Sequence, residues 1–264
     1  MTTAGADIEA VYNAHRTPAL QAVLFDLDDT LFDHQAAARA ALQVVQAQFE
    51  CFRRLTPDDF ERTHAGFLER LHHRVVSGEV GIDEARIERF RLLLEAAGEA
   101  EDSERAAVAA RRYRHAYVEA RRPIAGAAAL LQALRARVRI GIVTNNLLEE
   151  QQQKLRHCGL ETCVTHLIVS EEARVSKPDP AIFRIALARL GCEPAEAVMV
   201  GDSWPNDVRG ARAAGIPAVW FNRRGEMCPE PGAGVPELRA LEPTDAAVRI
   251  ILHAHPSTRR AHRD

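Results

Sequence analysis

Three carboxylates follow directly on a short apolar run in Phe25-Asp26-Leu27-Asp28-Asp29-Thr30-Leu31. Nothing about a buried strand asks for them. At a strand end alternate side chains point the same way, so Asp26 and Asp28 can address one space, where their repulsion demands a cation or a shared proton. A magnesium ion, which prefers hard oxygen ligands, answers that demand. An Asp-rich turn or helix cap is the bland alternative.

Three more segments carry groups of the same kind. Val143-Thr144-Asn145-Asn146 offers a hydroxyl and amides, Ser176-Lys177-Pro178-Asp179-Pro180 a lysine in a Pro-flanked loop, and Gly201-Asp202-Ser203-Trp204-Pro205-Asn206-Asp207 two further carboxylates. Each alone has an ordinary reading as a loop start, a surface lysine or a helix cap. Together they run carboxylates, Thr, Lys, carboxylates, each at or just past the C-terminal end of an apolar run. That is where a parallel sheet exposes its ligand crevice.

The elements that must position these groups are short and nearly continuously apolar: AVLF (22–25), VRIGIV (138–143), LIVS (167–170), AVMV (197–200) and AVWF (218–221). Strands of this kind are covered on both faces. The segments between the later four read as helices; in residues 179–191, Ile182, Phe183, Ala186, Leu187 and Leu190 form one stripe, with Pro180 in the first turn and Gly191 at the stop. The class is α/β with a parallel sheet and crossover helices.

Residues 34–121 contain no convincing strand and are far more than one crossover needs. Four helical stretches, 34–52, 57–76, 83–97 and 103–121, predict an inserted helical cap. The expected division is a catalytic core over 20–33 and 122–252, a cap over 34–121, and terminal extensions over 1–19 and 253–264. Arg111, Arg112, Arg114, Arg121 and Arg122 close the insertion; such a run reads as a solvated face, with phosphate binding as the alternative. His253 and His255 read as incidental.

Composition excludes several partners. Lys plus Arg (34) nearly balances Asp plus Glu (37) for a formal charge of -3 over 264 residues, so neither nucleic acid nor a membrane surface is called for. Five scattered cysteines fit structural thiols in a reducing compartment. The first twenty residues lack a basic start and apolar core of the export type, and no apolar run reaches the roughly 20 residues that span a bilayer. The expectation is a cytoplasmic protein, monomer or homodimer.

The four segments resemble the motifs of the haloacid dehalogenase superfamily, Asp-x-Asp-x-Thr, Ser/Thr, Lys and Gly-Asp-x-x-x-(x)-Asp, over residues 23–221. The resemblance implies a Rossmann-like core of strand order 3-2-1-4-5 with a type-one helical cap. It implies Asp26 as nucleophile, Asp28 as general acid and base, Thr144 and Asn145 as phosphate ligands, and Lys177 as the cation orienting both. Mg2+ would be held by Asp26, Asp202, Asp207 and the main-chain carbonyl of Asp28. Phosphoryl transfer rests on such positioning and charge neutralisation.

The acid at position 28 disfavours dehalogenation and favours a phosphatase acting on a small phosphorylated metabolite. A phosphomutase shares that acid and is the alternative. A non-catalytic phosphate sensor or scaffold would have lost one of these residues. Residues 25–32, with Ile168-Val169-Ser170-Glu171-Glu172 and Val175-Ser176-Lys177-Pro178, resemble the branch of pyrimidine 5'-nucleotidases and N-acylneuraminate 9-phosphatases. That branch implies a nucleoside monophosphate or a sugar phosphate as substrate.

Overall fold

The computed structural model describes residues 19–255, so the expectations for residues 1–18 and 256–264 lie outside it. Strand β1 (Ala22–Phe25) is wholly buried and forms the middle of a parallel sheet. Five helices of the insertion follow: α1 (His34–Gln48), α2 (Glu50–Arg53), α3 (Pro57–Val76), α4 (Ile82–Ala96) and α5 (Ser103–Glu119). Then come α6 (Ala127–Arg135), β2 (Arg139–Thr144), α7 (Leu148–His157), β3 (His166–Val169), α8 (Ser170–Ala173), α9 (Pro180–Leu190) and β4 (Ala197–Gly201). The chain closes with α10 (Gly210–Ala213), β5 (Ala218–Phe221), β6 (Glu237–Leu238) and α11 (Thr244–Ala254).

The sheet order is β3-β2-β1-β4-β5-β6, the expected 3-2-1-4-5 with one more edge strand. At two residues, β6 is too short to leave an alternation in the sequence. Val23 pairs with Ile140 on one side and with Val198 on the other. The chain therefore winds outward from β1 in both directions, which makes the carboxyl end of β1 the switch point where such sheets open a crevice. Asp26 is the next residue.

Alternation along β1 splits the core into two layers. Val23 and Phe25 pack with Leu130, Leu131 and Leu134 of α6 and with Ile251 of α11, whereas Ala22 and Leu24 pack with Phe183 and Leu187 of α9. With both faces covered, β1 cannot shift register without driving an apolar side chain out of one layer.

The cap helices begin where their caps say they should. Thr56 accepts from the Asp59 amide with Pro57 in the first turn, and Asp102 accepts from the Arg105 amide at 2.9 Å. The expected single helix over 34–52 breaks instead at Phe49, which is extended. The break lets Phe52 stack on Phe60 at a centroid distance of 4.6 Å and meet Phe49 at a tilt at 5.8 Å, while the Gln46 amide donates to the Phe52 and Leu55 carbonyls. All five cysteines are free thiols. Among the described residues no helix is long and apolar enough to cross a membrane.

Candidate active site

The carboxyl ends of β1, β2 and β4 and the loop before α9 bring the motif side chains to one place. Asp26 extends the β1–β4 ladder by one step, its amide donating to the Val200 carbonyl at 2.9 Å, so its side chain position follows from sheet register. Lys177 Nζ donates to Asp26 Oδ1 and to Asp207 Oδ1, each at 2.6 Å. All three side chains are buried.

The surroundings hold Lys177 and Asp202 through their backbones and Asp207 through its side chain. Asn145 clamps Lys177 twice: its Oδ1 accepts the Lys177 amide at 2.7 Å, and its Nδ2 donates to the Lys177 carbonyl at 2.8 Å. The Asp202 amide donates to Thr30 Oγ1 at 3.1 Å, and its carbonyl accepts from Trp220 Nε1 at 2.8 Å. Asp207 lies on a wide π-helical turn, Trp204–Arg209, and its Oδ2 accepts the Ser203 amide at 3.0 Å. A Cβ at Gly201 would stand 2.3 Å from the Asp207 carboxylate, so only glycine permits that approach.

Asp26, Asp202 and Asp207 can each offer an oxygen so that all three atoms lie within 4.8 Å of one another. One ammonium faces them. Burial, and then the neighbouring carboxylates, push Asp202 up to about 8. Burial and Asp207 likewise push Asp26 up to about 7, against the pull of Lys177. Lys177 itself is held above the ordinary lysine value: burial opposes this, but Asp207 and Asp26 outweigh it. With all three ionised, the carboxylates exceed the one cation by about two negative charges, and an all-oxygen donor set of that charge fits a hard divalent cation.

A stability prediction follows from these shifts. Raised carboxylates hold protons in the folded state that the unfolded chain has already released, so folding weakens as pH climbs toward their folded values. The buried histidines, whose shifts are downward, oppose this fall, but their contribution fades as pH passes above their ordinary value. In chelator, Tm should therefore fall by roughly 2 to 4 °C between pH 6.5 and 8, and added magnesium should abolish the fall. A Tm that rises over this interval in chelator contradicts the assignment.

Asp28 sits apart from the carboxylate group. Lys154 Nζ donates to its Oδ1 at 2.5 Å, and Gln151 Nε2 and Asn146 Nδ2 donate to Oδ2 at 2.9 and 3.4 Å. Burial opposes ionisation, but Lys154, His34 and the hydrogen bonds overcome it and hold Asp28 well below the carboxylate range. Gln151 Nε2 also donates to Thr144 Oγ1 at 2.7 Å, tying the second motif to the first. Lys154 is 3% exposed, although α7, LEEQQQKLRH, reads as a solvated helix. The available signal was the spacing Leu147, Gln151, Leu155, a helix face on which Lys154 also falls.

The arginine run divides. Arg111, Arg112 and Arg122 are exposed, as a solvated face requires. Arg114 and Arg121 turn inward and donate to Glu150 of α7 at 2.6 and 3.1 Å, and Arg86 of α4 joins them at 2.6 Å. With His72 Nε2 2.8 Å from the Asn145 carbonyl oxygen, these contacts close the cap over the core.

A parallel sheet with Asp, Lys and paired Asp groups around its switch point, under a helical cap, defines a hydrolase of the haloacid dehalogenase type. The chain belongs to the haloacid dehalogenase-like hydrolase family, whose profile matches residues 20–215. It is similar to a phosphoserine phosphatase of Thermus thermophilus, at 33% identity over 246 aligned positions covering 83% of this chain and 95% of that one. Over a shorter stretch of 109 residues, 41% of this chain and 48% of the other, it is 38% identical to the pyrimidine 5'-nucleotidase YjjG of Escherichia coli. Among solved structures, the magnesium-bound hydrolase YfnB of Bacillus subtilis superposes with a TM-score of 0.69 at 28% identity, covering 88% of this chain and all of that one.

Proposed function

We propose that the protein is a magnesium-dependent phosphomonoester hydrolase that passes the phosphoryl group through an aspartyl-phosphate on Asp26 to water. The observation that carries this reading is Asp26 itself: a buried carboxylate at the switch point of the sheet, bonded to Lys177 and beside two more carboxylates. Relatives that are phosphatases support the reaction class. The substrate is a small phosphorylated metabolite.

Asp26, Asp202 and Asp207, with the Asp28 main-chain carbonyl, would hold the magnesium ion, which supplies positive charge against the phosphoryl oxygens. Lys177 adds a second positive charge and, together with the bound magnesium ion, would keep Asp26 ionised, so that its free oxygen can attack phosphorus in line. Thr144 and Asn145 border the phosphate position, and Asn145 holds Lys177 in place. Asp28 acts on the two oxygens that exchange protons, the leaving alcohol and then the attacking water. Lys154 Nζ donates to Asp28 at 2.5 Å, and with the ester bound Asp28 would carry the proton it gives to the leaving alcohol and recover one from the attacking water.

The direct test is release of nitrophenolate from p-nitrophenyl phosphate after chelation, with and without added magnesium. Release that needs magnesium is the expected result; none with magnesium, or full release in excess chelator, overturns the reading. Lys177→Ala should raise the barrier by about 2 to 4 kcal/mol, the cost of one preorganised charge. The check is kcat at saturating magnesium, with thermal unfolding as control because two buried carboxylates lose their partner. A loss of tenfold or less demotes Lys177 to a structural cation.

A further inference from the structure

Between cap and core lies a cavity of about 120 Å3. Its floor is Asn146, Leu147, Glu150 and Lys154, and Leu68, Leu71, Val75 and Ile82 supply apolar wall. Asn146 and Lys154 both bond Asp28, so the cavity opens on the Asp28 side of the site. An ester whose phosphorus meets Asp26 extends its alcohol portion past Asp28 into this space. At about 30 Å3 per water the volume holds about four waters, enough for a compact alcohol.

The cations of the lining are already engaged, with one exception. Arg86 and Arg114 are spent on Glu150, and Lys154 on Asp28. Arg89 of α4 is 7% exposed, lines the cavity, and makes no ion pair among the described residues. Its Nε is buried without an acceptor. The guanidinium lies over the rings of Tyr113 and Phe90, at 5.0 and 5.6 Å from their centroids. Burial pulls Arg89 below its usual value, yet a guanidinium stays protonated in proteins. Ring faces offset part of the desolvation but leave the in-plane N–H donors without an anion.

We propose that Arg89 receives a second anionic group, a carboxylate or a phosphate, on the alcohol portion of the substrate, so that the preferred substrates are phosphomonoesters of compact acidic alcohols. This rests on the phosphatase reading above. A planar fork meeting an oxyanion in a desolvated pocket makes paired, charge-assisted hydrogen bonds, and an ester lacking the anion leaves those donors unmet. Arg89 is a specificity residue and takes no part in bond breaking.

The test uses three matched esters with magnesium: 3-hydroxypropyl phosphate, 3-phosphooxypropanoate and propane-1,3-diyl bisphosphate. The wild-type kcat/KM for one of the two acidic esters should exceed that of the neutral one by at least about 100-fold, and which of the two leads tells carboxylate from phosphate. In Arg89→Met the ratio should collapse toward one, mainly through KM, and Arg89→Lys should recover part of it. A wild type that does not prefer either acidic ester overturns the subsite, as does a folded Arg89→Met that keeps the wild-type ratio. If Arg89→Met does not fold, the wild-type ranking decides. Release from p-nitrophenyl phosphate without any ranking removes the subsite alone. Failure to release phosphate from any ester removes the phosphatase reading and the subsite with it.

Discussion

Asp26→Asn should reduce kcat by at least about 10⁴-fold while the protein stays folded. The amide keeps the shape of the carboxylate, and its oxygen can still accept from Lys177, which lies 2.6 Å from Asp26 Oδ1. It is a far poorer nucleophile, so the covalent step has no alternative route, and loss of a nucleophile alone is among the largest single effects seen in enzymes. The structure adds a second expectation of opposite sign. Asp26 is one of three crowded carboxylates, and burial and Asp207 push it up to about 7. Removing its charge relieves that crowding, so in chelator at pH 8 the variant should melt no lower than the wild type. Turnover above about 1% of wild type moves the nucleophile elsewhere. Inactivity together with a large drop in Tm points instead to a structural role.

Much of the core was legible because its signals are local. Apolar runs at 22–25 and 218–221 coincide with β1 and β5, and Pro57 with Thr56 gave the start of α3 to the residue. The order of the strands came from the motif resemblance; the apolar runs alone gave only a parallel sheet. Asp26, Lys177, Asp202 and Asp207, which the structure brings together, stood out jointly: the later segments each have an ordinary reading alone, and only their succession past the ends of apolar runs sets them apart. Asn145 was singled out as a phosphate ligand, but its clamp on Lys177 was not foreseen: a reciprocal pair of hydrogen bonds across 32 residues leaves no periodicity in the sequence.

The leaving-group side was largely illegible for the same reason. Glu150 attracts Arg86 from α4, Arg114 from α5 and Arg121 from just past the end of α5, yet nothing in LEEQQQKLRH sets Glu150 apart from its neighbour Glu149. Arg89 and Arg91 are indistinguishable in the sequence. In the structure Arg91 pairs with Glu88 and Glu95 at the surface, while Arg89 turns into the cavity without a carboxylate. Helical phase decides between them, and on α4 the phase is weakly marked because charged residues lie on both faces.

Asp28→Asn should separate the two proton transfers assigned to one residue. Nitrophenolate leaves with little assistance, whereas an alkoxide needs its proton as the bond breaks; losing a general acid costs about 10²- to 10⁴-fold in such cases. With p-nitrophenyl phosphate the variant should phosphorylate Asp26 and then stall, since activation of water depends on the same carboxylate. Rapid mixing should show a burst of nitrophenolate approaching one equivalent per site. With an alkyl phosphate there should be no burst, because the first step becomes limiting. The structure sharpens the control, because Lys154 lies against Asp28 at 2.5 Å and is itself buried. Asparagine leaves that ammonium with an amide oxygen and no counter-ion, so a lower Tm is expected and phosphate binding must be measured alongside. If the variant binds phosphate normally and shows no burst with either ester, Asp28 is not the shared acid and base, and the proton must pass through another group at this position, of which Lys154 is the nearest.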